Sequence, residues 1–238
     1  MKEETRKRLQ GVSTATLTTQ LFKRGISNVF MCGVKPLTPA APKLVGPAFT
    51  LRNIPARADL VKMEVLANPE YPQRKAIEMT PPGHVLVIDS RGEAGAGTVG
   101  DILAKRLQVR GVAGVVTDGG LRDTASLAEL GFPLYCAAPA APLSLALHYA
   151  VDLQVPIGCG GVAVFPGDVI VGDADGVVVI PQAIADDIAR EAAEQEMLEQ
   201  FLFQRIAEGA ALPGTYPPDD ETRAAFAAWR AQRAATNP

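Results

Sequence analysis

The stretch "HVLVIDSRGEAGAGTVGDILAKRLQVRGVAGVVTDGG" (His84–Gly120) alternates between two periods. Its ends, "HVLVIDS" and "VAGVVTDGG", are short apolar runs that stop at polar or glycine residues, as buried strands do. Between them, "GDILAKRLQVRG" spaces its apolar residues along one face of a helix. Further on, "RDTASLAELG" reads as a second helix and "FPLYC" as a third strand. Strand–helix–strand–helix–strand with short connections favours parallel pairing, because each crossover helix returns the chain in the same direction.

Toward the N-terminus, Ser13 is placed to cap "TATLTTQLFKRG", and Gly25 follows the last basic turn as a C-terminal stop. "LVGPAFTL" reads as a strand with Gly46-Pro47 making a bulge or an edge. "DLVKMEVLANP" predicts a short helix and "EYPQRKAIEMTPPG" a polar loop. Beyond Pro156, "GGVAVFPGDVIVGDADGVVVIP" gives Val/Ile runs punctuated by Pro-Gly-Asp and Asp-Gly, the pattern of hairpins. A long helix is expected from Pro181 to about Glu208. Residues 1–210 then read as one α/β domain, and 211–238 as a Pro-rich linker with a short helical arm.

Composition narrows the function. The 238 residues are 47% hydrophobic and carry a formal net charge of −3, with no basic excess to favour nucleic acid. Three cysteines form no C-x-x-C pair, which suits a reducing compartment. The charged start "MKEETRKRLQ" lacks an apolar signal core, and "LYCAAPAAPLSLALHYAV" is broken by prolines before it could span a membrane. A cytoplasmic protein is expected, bound to neither membrane nor nucleic acid.

Gly95, Gly97 and Gly100 spell G-x-G-x-x-G, the pattern of a dinucleotide loop. In such a loop the first glycine ends the strand; here "SRGEA" intervenes, and the acid expected downstream, Asp118, sits in a tight loop of its own. Two other readings stand beside the nucleotide one. The glycines could form a turn that caps a helix, or the helix N-terminus at Gly100-Asp101-Ile102-Leu103 could hold a small anion.

The second loop, "VVTDGGLRD", ends in Arg122-Asp123 at a helix start. Arginine offers a planar fork for a carboxylate or enolate oxygen, and aspartate a hard anionic ligand. A surface salt link capping the helix is the simpler alternative. Both glycine loops follow consecutive strands and so share the sheet edge where α/β proteins bind ligands. The chain has two histidines, of which His84 reads as a strand start and His148 as a helix interior. That excludes a histidine zinc cluster and leaves oxygen ligation of Mg²⁺ or Mn²⁺. Lys105 falls on the helix after Asp101 and reads as solvated surface.

The segments "VGDILAKRLQVRGVAGVVTDGGLRD", "STATLTTQL", "GFPLYC" and "VPIGCGGVAVFPGDVIVGDADGVVVIP" together resemble the RraA-like family. That family includes metal-dependent 4-hydroxy-4-methyl-2-oxoglutarate / 4-carboxy-4-hydroxy-2-oxoadipate aldolases and regulators of ribonuclease E activity. The resemblance implies a compact α/β sandwich like the phosphohistidine swivelling domain, with helical extensions, assembled as a homotrimer or homohexamer. Asp123 would be the protein ligand of Mg²⁺ or Mn²⁺. Arg122 would bind the 2-oxo oxygen and stabilise an enolate. Gly100 and the amides of Ile102 and Leu103 would hold the pyruvyl carboxylate, and Asp101 a water. Glu199 of a neighbouring subunit, or Glu196 one turn earlier, would join the proton relay; a solvated acidic face is the alternative for both.

The implied activity is cleavage of 4-hydroxy-2-oxo acids to pyruvate, with oxaloacetate decarboxylation, both of which leave charge on an enolate oxygen. A non-catalytic regulator of a ribonuclease E-type partner is the alternative. The passage "ANPEYPQRKAIEMTPPG" and the tail "LPGTYPPDDETRAAFAAWRAQ" depart from the compact aldolases, so the second half of the substrate stays open.

Overall fold

A computed structural model of the chain describes residues 1–39 and 41–236. Two helices, α1 (Glu3–Gln10) and α2 (Thr14–Lys23), come first, and the Ser13 side chain accepts from the Thr16 amide as a cap should. Then follow β1 (Lys35–Pro36), β2 (Leu44–Pro55), α3 (Pro72–Met79), β3 (Val85–Asp89), β4 (Gly97–Val99) and α4 (Asp101–Val109). The next group is β5 (Gly114–Thr117), β6 (Gly120–Leu121), α5 (Thr124–Ala128), β7 (Leu134–Cys136) and β8 (Ala138–Pro139). Last come β9 (His148–Leu153), β10 (Ile157–Cys159), β11 (Val162–Val164), β12 (Val169–Gly172) and β13 (Val177–Ile180). Helices α6 (Ala185–Ala207), α7 (Leu212–Thr215, a single irregular turn) and α8 (Asp220–Thr236) close the chain.

The main sheet runs β1-β7-β5-β3-β2-β12-β13, with β9 also on β2. The pairs β2–β3, β3–β5 and β5–β7 are parallel, as the strand–helix alternation requires. The twelve-residue β2 is the hinge of the architecture: its first part pairs with β12 and its last part with β9.

Side-chain alternation divides the core. Leu86, Ile88, Val115 and Leu134 point to a face covered by Ala76 and Ile77 of α3, Ala104 and Leu107 of α4, and Leu127 of α5. Their neighbours Val85, Val87, Val116 and Tyr135 point to the other face, against the β10–β11 hairpin and Ile170. A third cluster joins Leu9, Leu17 and Leu21 to Ile188, Ala189 and Ala192 over Val171 and Val178, fixing α1, α2 and α6 on the β12–β13 hairpin.

Four expectations need correction. The segment read as the loop "EYPQRKAIEMTPPG" contains α3, whose Pro72 starts the helix and whose Gln73, Ala76 and Ile77 are buried. The helix expected in "DLVKMEVLANP" is a single 3₁₀ stretch, Met63–Ala67, with no buried residue. The strand passes through Gly46-Pro47 unbroken, and the irregularity falls between Arg52 and Asn53. His148 opens β9 opposite Pro55 of β2; after Pro142 the chain makes only the turn Ser144–Ala146 before sheet pairing takes over. Among the described residues, no helix is long and apolar enough to cross a membrane.

Candidate functional site

The loops after β3 and β5 leave adjacent parallel strands and are tied together by Asp118. This buried carboxylate accepts from the amides of Ser90 (2.6 Å), Gly92 (2.9 Å) and Gly160 (3.3 Å). Ser90 and Thr117 add a hydroxyl pair at 2.9 Å. The carboxylate that a dinucleotide fold would offer to a ribose is therefore committed to backbone amides. That removes the nucleotide reading of the glycine loop.

Beyond this lock, β4, β6 and β8 form a small parallel sheet, and the Arg122 amide donates to the Val99 carbonyl at 3.1 Å. The second loop thus lies directly against the start of α4. Two glycines make the approach possible. A Cβ on Gly97 would fall 2.7 Å from Arg122 Cβ, and one on Gly100 would fall 2.5 Å from Asp123 Oδ2. The G-x-G-x-x-G spacing is used to seat an arginine–aspartate pair.

Asp123 itself is left-handed, at φ 59° and ψ 38°, a region costly for most side chains but tolerated by aspartate. Arg122 Nε lies 3.3 Å from Asp123 Oδ2, with both side chains more than a third exposed, so the pair adds little stability by itself. That Nε is shielded from solvent and has no aligned hydrogen-bond partner. At the head of α4, the Asp101 carboxylate accepts from the Ile102 amide at 2.7 Å, and the helical ladder begins with Ala104 donating to Gly100. The Leu103 amide falls in the unpaired first turn.

Asp101, Arg122, Asp123, Thr124 and Ser126, with Ala140 opposite, line an open depression of about 490 Å³. Thr124, Ser126 and Ala140 were not expected. The hydroxyl spacing after Arg-Asp was the available signal for the first two, and Ala140 depends on the third parallel strand of the small sheet. Lys105 is exposed and bonds Gln108, as expected.

Glu199 and Glu196 stand elsewhere. Glu199 accepts from Gln195 (2.8 Å) and Thr16 (3.5 Å), and Glu196 from the amide and hydroxyl of Ser13 at 3.3 Å each, against the start of α2. Glu196 also lines a wider groove of about 730 Å³ between α1, α6 and α8, which includes neither Arg122 nor Asp123. No residue of α6 lines the smaller depression.

The donors around that depression are oxygens. Among the described residues no three His, Cys, Asp or Glu side chains cluster as a closed metal cage. A partly exposed aspartate with a second carboxylate near it fits a Mg²⁺- or Mn²⁺-type ion, which keeps several waters and takes one or two protein oxygens.

Fold and site together define an α/β protein in which two parallel-strand loops present an arginine–aspartate pair beside a helix N-terminus. The chain belongs to the RraA-like family, whose model, described as Aldolase/RraA, matches residues 14–179. A provisionally named 4-hydroxy-4-methyl-2-oxoglutarate aldolase of Halalkalibacterium halodurans is 34% identical over 175 residues, 74% of this chain and 77% of that protein. The 4-hydroxy-4-methyl-2-oxoglutarate aldolase of Thermus thermophilus is 35% identical over 109 residues, 46% of this chain and 66% of that protein. The structure of Streptomyces coelicolor RraAS2, described as an unusual member of the RNase ES inhibitor RraA family, superposes with a TM-score of 0.74. It is 34% identical, covering 84% of this chain and 96% of its own.

Proposed function

We propose that this protein is a carbon–carbon lyase that cleaves 4-hydroxy-2-oxo acids, such as 4-hydroxy-4-methyl-2-oxoglutarate, to release pyruvate, and that it also decarboxylates oxaloacetate. The observation that carries the reading is the seating of Arg122 and Asp123 against the start of α4 by Gly97 and Gly100. Relatives named as aldolases support it. In this reading Asp123 is the single protein ligand of Mg²⁺ or Mn²⁺. The ion, when bound, supplies positive charge that draws electrons toward the 2-oxo oxygen.

The chain's own residues do the rest. The substrate carboxylate takes the Leu103 and Ile102 amides, and Asp101 swings off the Ile102 amide to make room. Its freed carboxylate then faces the depression and can hold a water. Arg122, whose Nε lacks an aligned acceptor, donates to the 2-oxo oxygen. As the C3–C4 bond breaks, its electron pair flows toward C2 and the charge gathers on that oxygen, where the guanidinium stabilises it. A base must take the 4-hydroxyl proton. We assign it, as the family resemblance implies, to the water held by Asp101 together with Glu199 of a neighbouring subunit; within one chain no residue of α6 lines the depression. That assignment requires an oligomer, for which the family resemblance implies a homotrimer or homohexamer. Protonation of the enolate at C3 gives pyruvate.

The test is pyruvate release from 4-hydroxy-4-methyl-2-oxoglutarate and loss of oxaloacetate, each with Mg²⁺, with Mn²⁺ and with EDTA. Turnover with metal and none in EDTA is expected; full activity in EDTA overturns the metal reading. Likeness to RraAS2 favours a second reading, a regulator that binds a ribonuclease E-type partner. That reading predicts micromolar binding of such a partner by calorimetry, undiminished in Asp123→Ala, with no turnover of any 2-oxo acid.

A further inference from the structure

His148 is fully buried, and the reaction outlined above has no use for it. Its ring lies beneath the loop that joins β3 to β4. From that loop Arg91 reaches back so that Nη2 lies 3.5 Å from His148 Nδ1 and donates to the Leu147 carbonyl at 3.2 Å. With Nδ1 accepting from the guanidinium, the hydrogen sits on Nε2, and that buried Nε2 has no aligned partner. Arg91 is itself held at φ 59°, a conformation that surrounding contacts must maintain. The same loop packs Gly95 toward Leu147 and continues into Gly97, the residue that seats Arg122.

We propose that neutral His148 latches the β3–β4 loop through Arg91, and that protonation at Nδ1 releases it. The proton converts the only acceptor that the ring offers Arg91 into a donor and sets a second positive charge beside the guanidinium. The other charged groups facing the ring are Glu93, on the same loop, and Asp118, on the loop after β5. Both, and the Glu93 carbonyl beside the ring, favour the cation, but Asp118 is already engaged by three amides. Burial first, and Arg91 next, hold the imidazole below its ordinary value, so the latch stays closed at neutral pH and opens only as the pH falls below the ordinary imidazole range. Release would unpin β4 and, through Gly97, the seat of Arg122.

The test follows the loop itself, so it fails or succeeds independently of the proposed chemistry. In the full-length protein, hydrogen exchange of peptides spanning residues 90–99 is compared between about pH 7.5 and about pH 5, corrected for intrinsic exchange. NMR follows the two imidazoles, with His84 as the internal reference. Protection of 90–99 should fall about tenfold as His148 titrates, while α4 keeps its protection. Arg91→Gln, at an exposed position, should raise the His148 pKa and leave 90–99 weakly protected at both pH values; His148→Gln should leave that segment weakly protected as well. Unchanged protection of 90–99 across the titration overturns the proposal, as does wild-type protection at neutral pH, or a pH-dependent fall in protection, in Arg91→Gln.

Discussion

The absent side chain of Gly100 is what lets Asp123 sit where it does: a Cβ at residue 100 would lie 2.5 Å from Asp123 Oδ2 and 3.1 Å from Arg122 Cγ. Loop and pair are thus one object, and each can be tested through the other. Gly100→Ala should push aside a flexible, partly exposed carboxylate, leaving the fold intact while kcat/KM falls about tenfold or more. Gly97→Ala meets Arg122 Cβ at 2.7 Å and its backbone nitrogen at 2.9 Å, which cannot swing away. It should cost stability as well, about 1–3 kcal/mol, the usual price of overpacking. Urea denaturation and steady-state kinetics on both variants separate the two outcomes.

Asp173 should dominate part of the acid limb of stability. It accepts from the Thr14 amide and hydroxyl at 2.7 Å each and faces Lys43 at 3.3 Å, bracing α2 against the β12–β13 turn. Burial pushes its carboxyl up, but the Thr14 bonds and Lys43 outweigh burial and hold it below the usual range. A carboxylate depressed in the folded state contributes stability above its unfolded value of 3.8, and loses it as pH falls through the folded value. Asp173→Asn should therefore cost about 1–3 kcal/mol at neutral pH and flatten the loss below that value. Urea titrations from about pH 7 to about pH 2.5 measure both.

The parallel centre was legible because it is buried on both faces: Val-Leu-Val-Ile in β3 and Gly-Val-Val-Thr in β5 leave little room for another element. The arginine–aspartate pair and the shared sheet edge were legible for the same reason, since strand order places both loops. Helix α3 was hidden by its polar face, although Pro72 followed by buried positions 73, 76 and 77 was the available signal. What no spacing could show was the close approach. G-x-G-x-x-G looks the same whether its glycines admit a pyrophosphate or the Arg122 side chain, and Asp118 identifies itself as a lock only when its three amides are in view. The glutamates of α6 stand apart from the depression, with Glu199 bonded to Thr16 and Gln195 and Glu196 to Ser13, contacts that no spacing along the helix reveals.

The C-terminal arm should unfold with the domain. Phe201 of α6 is buried against Phe226 (5.6 Å between ring centroids) and Trp229 (5.5 Å), and Arg233 stacks on Trp229 at 4.6 Å. Trp229 is the single tryptophan of the chain, so its fluorescence reports the arm while far-UV circular dichroism reports the whole. Coincident denaturant transitions are expected. A fluorescence transition that precedes the dichroism would make residues 211–238 a separate unit.

Arg122 and Glu199 should separate the two reactions. Both cleavage of a 4-hydroxy-2-oxo acid and decarboxylation of oxaloacetate leave charge on an enolate oxygen, so Arg122→Lys should depress both. Lysine keeps the charge and loses the planar fork, and loss of one such donor typically costs about 10²-fold or more in turnover. Only aldol cleavage must also remove a proton from a 4-hydroxyl. Glu199→Gln keeps the side chain's length and its hydrogen bonds with Thr16 and Gln195 within reach, but loses the carboxylate. It should slow cleavage strongly and spare decarboxylation. Mixing Glu199→Gln with Arg122→Lys subunits sharpens the point, since a site shared between copies regains one intact combination of the two residues. Recovery of cleavage in the mixture places the glutamate across an interface. If Glu199→Gln cleaves at the wild-type rate, the proton leaves by another route, and Glu196, bonded to Ser13, is the next residue to change.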